Sequence, residues 1–228
     1  MNRQQTLSDV AERITQINLT HPTRVAIDGV DAAGKTILAD ELARIIESTR
    51  PVIRASVDGF HNPKQVRYQR GEGSSEGYYR DSFNYQKLIE VLLAPLGPAG
   101  TRRYHSVIFD YRTDHKVDQH PAIADARSVL LFDGVFLHRP ELREYWDYTV
   151  FLDVDFETTL ARAERRNAAR AFEEKPELSS EEVRSRYEQR YILGQKLYLS
   201  ECTPRARANA VINNSNLANL VVTYSDKD

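Results

Sequence analysis

The sequence predicts an α/β protein in which a mostly parallel, twisted sheet is covered by helices on both faces. Three observations lead there. Short apolar runs without alternation, at residues 24–28, 51–57, 128–132 and 149–152, read as strands buried on both faces of a parallel sheet. Segments of helical period stand between them, the β-α-β-α alternation of a doubly wound sandwich. Between the first strand and a helix lies Gly29-Val30-Asp31-Ala32-Ala33-Gly34-Lys35-Thr36, whose two glycines followed by Lys and Thr spell a loop that cradles phosphate.

At 228 residues the chain is long enough for one sizeable core, and no linker, repeat or low-complexity stretch divides it, so one domain over 1–228 is expected. The net charge is −2 and the basic residues are dispersed, which argues against a nucleic-acid surface and for a small ligand. Cys202 is the only cysteine, and there is no charged-then-apolar leader and no long apolar run. Disulfides, secretion and membrane insertion are therefore not expected, and a reducing cytoplasm fits.

In the N-terminal segment, 1–22, Thr6 is the expected cap of a helix with an apolar stripe of Leu7, Val10, Ile14 and Ile17, ended by His21-Pro22. That helix reads as packing. The first strand then enters the phosphate loop. There Gly29 and Gly34 permit a tight turn, so that successive amides along Val30, Asp31, Ala32 and Ala33 face one concavity. Lys35 is expected to reach the β- and γ-phosphates of a nucleotide, and Thr36 to offer its hydroxyl to Mg²⁺. The helix that follows, with Ile37, Leu38, Leu42, Ile45 and Ile46 at helical spacing, places its positive dipole end beneath them.

Strand 51–57 ends in Asp58, followed by Gly59-Phe60-His61. In a parallel sheet that carboxylate emerges in the same crevice as the phosphate loop, where a general base belongs. The plainer readings are a turn aspartate and a loop histidine. Residues 59–83 and 97–120 are irregular and rich in Gly, Tyr, Arg and Asp, so the acceptor substrate is expected there. A helix is expected at 85–93. Strand 128–132 ends in Asp133-Gly134, an acid suited to help Thr36 hold Mg²⁺, or else a turn residue. A short helix near 141–145, strand 149–152, helix 157–170 and helix 180–199 capped by Ser179 or Ser180 follow. Segments 210–212 and 220–222 add another strand and a C-terminal edge.

Taken together these residues resemble the uridine kinase, phosphoribulokinase and pantothenate kinase group of P-loop kinases. The resemblance runs through the phosphate loop, Ser56-Val57-Asp58-Gly59-Phe60-His61, Asp81-Ser82-Phe83-Asn84, Val107-Ile108-Phe109-Asp110-Tyr111, Leu131-Phe132-Asp133-Gly134 and Phe151-Leu152-Asp153, and so from Val25 to about Ile212. It implies a three-layer α/β/α P-loop NTPase fold with a helical lid at about 160–190, ATP as phosphoryl donor, Mg²⁺, and often a homo-oligomer. It implies that Asp58 is the catalytic base for a nucleoside 5′-hydroxyl, that Asp81 lies near an acid contacting ribose, and that Phe109 borders the base. Arg162 and Arg166, one helical turn apart, resemble lid arginines, whose guanidinium forks steady charge on a transferring phosphoryl group. The alternative for them, with Arg165, is a solvated helix face.

The acceptor side then comprises Asp58, Phe60, His61, Tyr79, Asp81, Phe109, Asp114, Arg166 and Arg190. The chain departs from uridine kinases at several of these positions. Phe109 and Asp114 stand in the segment where those kinases place a Tyr and a His, Arg190 where a Gln is common, and Asp133 where many carry Glu. The wording Asp58-Gly59-Phe60-His61 is closer to the pantothenate kinase branch. The function expected is an ATP- and Mg²⁺-dependent kinase for the 5′-hydroxyl of uridine or cytidine. Tyr68, Tyr78, Tyr79 and Phe109 are offered as stacking surfaces, or else as aromatics that cover the core. The alternatives are a kinase for pantothenate, another riboside or a sugar, and a nucleotide-binding switch. Against the switch stand the lack of an Asn-Lys-x-Asp motif and an otherwise unexplained Asp58.

Overall fold

The computed structural model describes residues 2–173 and 179–225; residues 174–178 of the expected lid, with Met1 and residues 226–228, lie outside them. Its centre is a six-stranded sheet built from β1 (Thr23–Gly29), β2 (Val52–Ser56), β3 (Val129–Gly134), β4 (Tyr148–Asp153), β5 (Ala210–Asn213) and β6 (Val221–Tyr224). In space the strands run β6-β5-β4-β1-β3-β2. All neighbours are parallel except β5 and β6, which pair antiparallel at the edge. The fold is thus the three-layer α/β/α sandwich of P-loop NTPases.

β1 and β3 are buried along their whole length, as unbroken apolar runs at the centre of a sheet should be. β2 differs from expectation: only Ile53 and Ala55 are buried, because it is the edge strand and its Arg54 reaches out to Asp40 at 3.0 Å. On one face lie α1 (Arg3–Gln16) and α2 (Lys35–Ile46), which bury Val10, Ile14, Leu38, Leu42 and Ile46 against Val25, Ile27 and Leu131. Asn2, not Thr6, caps α1, through a reciprocal capping box with Gln5. Thr6 sits inside the first turn with its hydroxyl on the Asn2 and Leu220 carbonyls. Ile37 is 61% exposed, because the buried stripe of α2 is Leu38, Ala39, Leu42, Ala43 and Ile46.

On the other face α3 (Ser75–Asp81), the helical segment 85–93 and the rod 180–202 pack around Phe60, Phe132, Phe136 and Tyr198. The rod consists of α5 (Ser180–Arg186), a π-type turn at Tyr187–Tyr191, and α6 (Ile192–Cys202). Ser179 is its cap, in a capping box with Glu182. It faces α4 (Phe156–Glu173), and between them Leu160, Ala163, Val183 and Tyr187 form a small core of their own. The stretch 97–120 is less irregular than expected: Phe109–Asp110 pairs with His115–Lys116, and Arg103–Tyr104 with Ala122–Ile123. Among the described residues no helix is long and apolar enough to cross a membrane.

Candidate active site

Three parallel strands end side by side, and their register sets the site. Ile27 of β1 is level with Asp133 of β3, and Asp133 is level with Ser56 of β2. A residue or two beyond stand Gly29, Gly134 and Asp58, so the loop, the acid and the candidate base leave the sheet at one edge. The loop turns at Gly34, left-handed with φ 97°, where a Cβ would stand 2.7 Å from Asn214 Nδ2. That close approach serves a bond: Asn214 Nδ2 donates to the Ala33 carbonyl at 2.7 Å. Lys35 and Thr36 open α2, so their amides have no intrahelical acceptor and lie at the positive end of its dipole. Lys35 Nζ crosses the loop to the Val30 carbonyl at 2.8 Å.

Thr36 Oγ1 donates to Asp133 Oδ2 at 2.7 Å, and Arg54 donates to Asp133 Oδ1 at 3.0 Å. A hydroxyl and a carboxylate side by side are hard oxygen donors of the kind Mg²⁺ takes, so these residues fit that ion. Asp31 departs from the expected cradle. Its amide donates to Gln195 Oε1 at 2.7 Å, because Gln195 is buried and its amide group must be hydrogen-bonded.

Asp58 follows β2 in a 3₁₀ turn whose cap is Ser56. Its carboxyl reaches solvent from a recess, and enclosure by the protein, then the charge of Asp31, raise it to about 6; Asp133 adds to the rise while Lys35 and Arg166 oppose it. His61 Nδ1–H donates to the Asp58 carbonyl at 2.9 Å, and the ring lies between Phe83 and Tyr111 at 4.6 and 4.7 Å. Burial lowers its pKa to about 4, so at neutral pH His61 is uncharged with Nε2 left as an acceptor.

The two arginines expected at the lid diverge. Arg162 spends its guanidinium on the Ala33, Asn214 and Ser215 carbonyls, at 3.3, 2.6 and 3.0 Å, and so staples the phosphate loop to the segment after β5. Arg166 donates to Tyr187 Oη at 3.2 Å and its charge bears on Asp58. Of the two, Arg166 is the one turned to the cleft.

No family model matches the chain. Among curated proteins, uridine-cytidine kinase B of Dictyostelium discoideum is 26% identical over 199 residues, covering 84% of this chain and 78% of that one. A solved structure described as a possible uridine kinase from Bacillus stearothermophilus superposes with a TM-score of 0.70 at 21% identity, over 91% of this chain and 97% of that one. The chain is similar in sequence to uridine-cytidine kinases and shares the fold of P-loop kinases, which supports a phosphotransferase acting on an alcohol group. D-glycerate 3-kinase of Cryptococcus neoformans superposes over 97% of this chain and 98% of that one, with a TM-score of 0.66 at 13% identity, a likeness of fold alone.

Several residues expected at the acceptor are engaged elsewhere in the structure. Tyr79 is core: its ring packs on Phe136 at 5.1 Å and its hydroxyl donates to Glu201 at 3.0 Å, because α3 turns that side toward the sheet. Phe60 likewise packs on Phe132 under the sheet edge, and Phe109 is buried. Asp81 pairs with Arg70 at 2.8 Å. Asp114, left-handed with φ 60°, accepts the Lys64 amide at 3.0 Å and Arg67 at 3.1 Å, so it fastens the 109–116 ribbon to the Lys64–Arg67 turn. Arg190 is buried against the rings of Tyr68, Tyr78 and Tyr191 and donates to the Glu72 carbonyl.

A buried network that no local motif signals stands at the loop's entrance. Asp28, fully buried, accepts the Gly29 amide at 2.7 Å, His138 Nδ1 at 2.7 Å and the Tyr198 hydroxyl. An acid closing an apolar strand was the one visible signal; His138 and Tyr198 carried none, since only folding brings them together. A cavity of about 760 Å³ opens on the far side of Val30, floored by Phe151, Phe156 and Val211. It excludes Asp58, Lys35 and Thr36, so its volume does not mark the chemistry.

Proposed function

We propose that this kinase, read as one domain over 1–228, transfers the γ-phosphoryl group of ATP to a primary hydroxyl, and that the acceptor is uridine or cytidine. The observation that carries the reading is Asp58, a carboxyl raised to about 6, leaving the sheet edge beside the phosphate loop. The hydroxyl oxygen bonds to the γ-phosphorus, the bond from that phosphorus to the bridging β–γ oxygen breaks, Asp58 takes the hydroxyl proton, and ADP departs. Lys35 and the first amides of α2 bind the phosphates, and Arg166 steadies charge on the group in flight. Thr36 and Asp133 would hold Mg²⁺, which when bound neutralises charge on the β- and γ-oxygens. His61, uncharged between two aromatic rings, supplies an acceptor at Nε2 and a flat edge beside the acceptor.

A second reading, a kinase for pantothenate, another riboside or a sugar, draws support from Asp114. Its carboxylate is taken by Arg67 and the Lys64 amide, so a base-reading role has less room than in the related kinases. Purified protein with ATP, Mg²⁺ and a panel of nucleosides, pantothenate, glycerate and sugars decides between them, read by acceptor-dependent ADP release and the mass of the product. Uridine or cytidine monophosphate is the expected product. A different phosphorylated acceptor would replace the first reading by the second, and ADP release indifferent to every acceptor would sink both.

A further inference from the structure

The phosphate loop of this chain carries an acid, Asp31, among apolar neighbours, where a carboxylate turned toward a triphosphate would repel it. The side chain is turned elsewhere. Its Oδ2 accepts the Tyr78 hydroxyl at 2.7 Å and Gln195 Nε2 at 3.3 Å, while its amide is spent on Gln195. Tyr78 belongs to α3, in the stretch where the acceptor is expected, and Gln195 to the rod that descends from the lid. Asp31 is therefore held by two elements at once. It is half-buried, and among the described residues its Oδ1 takes no hydrogen bond. Its charge is also felt at Asp58, Tyr187 and Tyr191.

We propose that Asp31 is an acceptor-specificity residue, whose Oδ1 accepts a hydroxyl of a neutral, polyhydroxylated acceptor while Asp58 faces the hydroxyl that reacts. The inference rests on the kinase reading with Asp58 as base. The charge balance of the cleft points the same way. Asp81 and Asp114 are each neutralised by an arginine, Arg70 and Arg67. The cations facing Asp58, Lys35 and Arg166, are required at the phosphates. What remains for the acceptor is the negative charge of Asp31 and Asp58, which repels a carboxylate or phosphate on the incoming molecule. The opposing group is Arg190, a buried guanidinium behind the Tyr78 ring with no carboxylate partner among the described residues.

The test is steady-state kinetics of the full chain and of Asp31→Asn and Asp31→Ala, with ATP and each acceptor varied in turn. The acceptors are uridine, 2′-deoxyuridine, 3′-deoxyuridine, pantothenate and glycerate. A hydrogen bond to a charged group predicts a rise of about tenfold or more in the KM for uridine, with the KM for ATP nearly unchanged. One deoxyuridine should be impaired with the wild-type chain, and that impairment should vanish in Asp31→Ala, because the two changes remove the same bond. Asp31→Asn keeps the shape of the side chain and guards against loss of the fold in Asp31→Ala. Equal changes in both KM values, no change in either, or wild-type preference for pantothenate or glycerate would overturn the inference. A neutral sugar used in place of uridine, with the same Asp31 dependence, would sustain it while sinking the nucleoside assignment. Absence of acceptor-dependent turnover in the wild type would remove the kinase reading and the inference with it.

Discussion

A carboxyl held at about 6 is ionised at neutral pH yet close enough to the working pH to take a proton readily, and that is the position of Asp58. A base acts in its deprotonated form, so activity is lost as pH falls through the pKa and is fully present above it. The kcat/KM for the acceptor should therefore rise with pH through an acid limb near 6, rather than near the ordinary carboxylate value. An acid limb near 4 would assign the proton to another group. Asp58→Asn should lower kcat by about 10²–10⁴-fold and leave the affinity for ATP unchanged in a calorimetric titration, since the substitution preserves shape and removes only the proton acceptor. Near-wild-type turnover in that variant would end its assignment as base. His61 contributes no second titration in this range, because burial has already moved it down to about 4.

At the scale of elements, the site depends on two strands packed without spare room where they end. A Cβ on Gly134 would stand 2.5 Å from Val57 Cγ1, on the turn that carries Asp58. Gly134→Ala should cost about 1–3 kcal/mol of stability, seen as a lower urea midpoint, and should depress kcat more than ATP affinity because the displaced residues flank Asp58 and Asp133. A variant with an unchanged midpoint would show that the strand ends have slack. The rod grips the loop in a comparable way. Gln195 and Tyr198, one turn apart on α6, hold Asp31 and Asp28 at either end of the first loop residues. The strands and the phosphate loop were legible in the sequence, because unbroken apolar runs and glycine spacing are local signals. Burial of Tyr79 and the pairing of Asp114 were not, since both depend on which side of a short helix or ribbon meets a partner distant in sequence.

For the whole molecule, the strand order β6-β5-β4-β1-β3-β2 puts β1 between β4 and β3, with the loop at the centre of one end of the sheet. A ligand that binds only this assembled edge stabilises the entire fold. A non-hydrolysable ATP analogue with Mg²⁺ at a hundred times its Kd should add about 2.7 kcal/mol. Thr36→Val, which removes the hydroxyl bonded to Asp133, should lower the unliganded stability by about 1–3 kcal/mol and in addition lose the part of that gain that requires Mg²⁺. If Thr36→Val and the wild type showed the same gain from the ion, Thr36 would have no part in holding it. By itself the amino-acid sequence determined the three-layer α/β/α class, the phosphate loop with Lys35 and Thr36, and the strand-end acids Asp58 and Asp133, because each is written in residues adjacent along the chain. Only the tertiary structure decided that Arg162 staples the loop while Arg166 faces the cleft, that Asp114 is taken by Arg67, and that Asp31 turns to Tyr78 and Gln195. Those outcomes are hydrogen bonds and ion pairs between groups far apart in sequence, and nothing local can state which partner a polar side chain will meet once the sheet has closed.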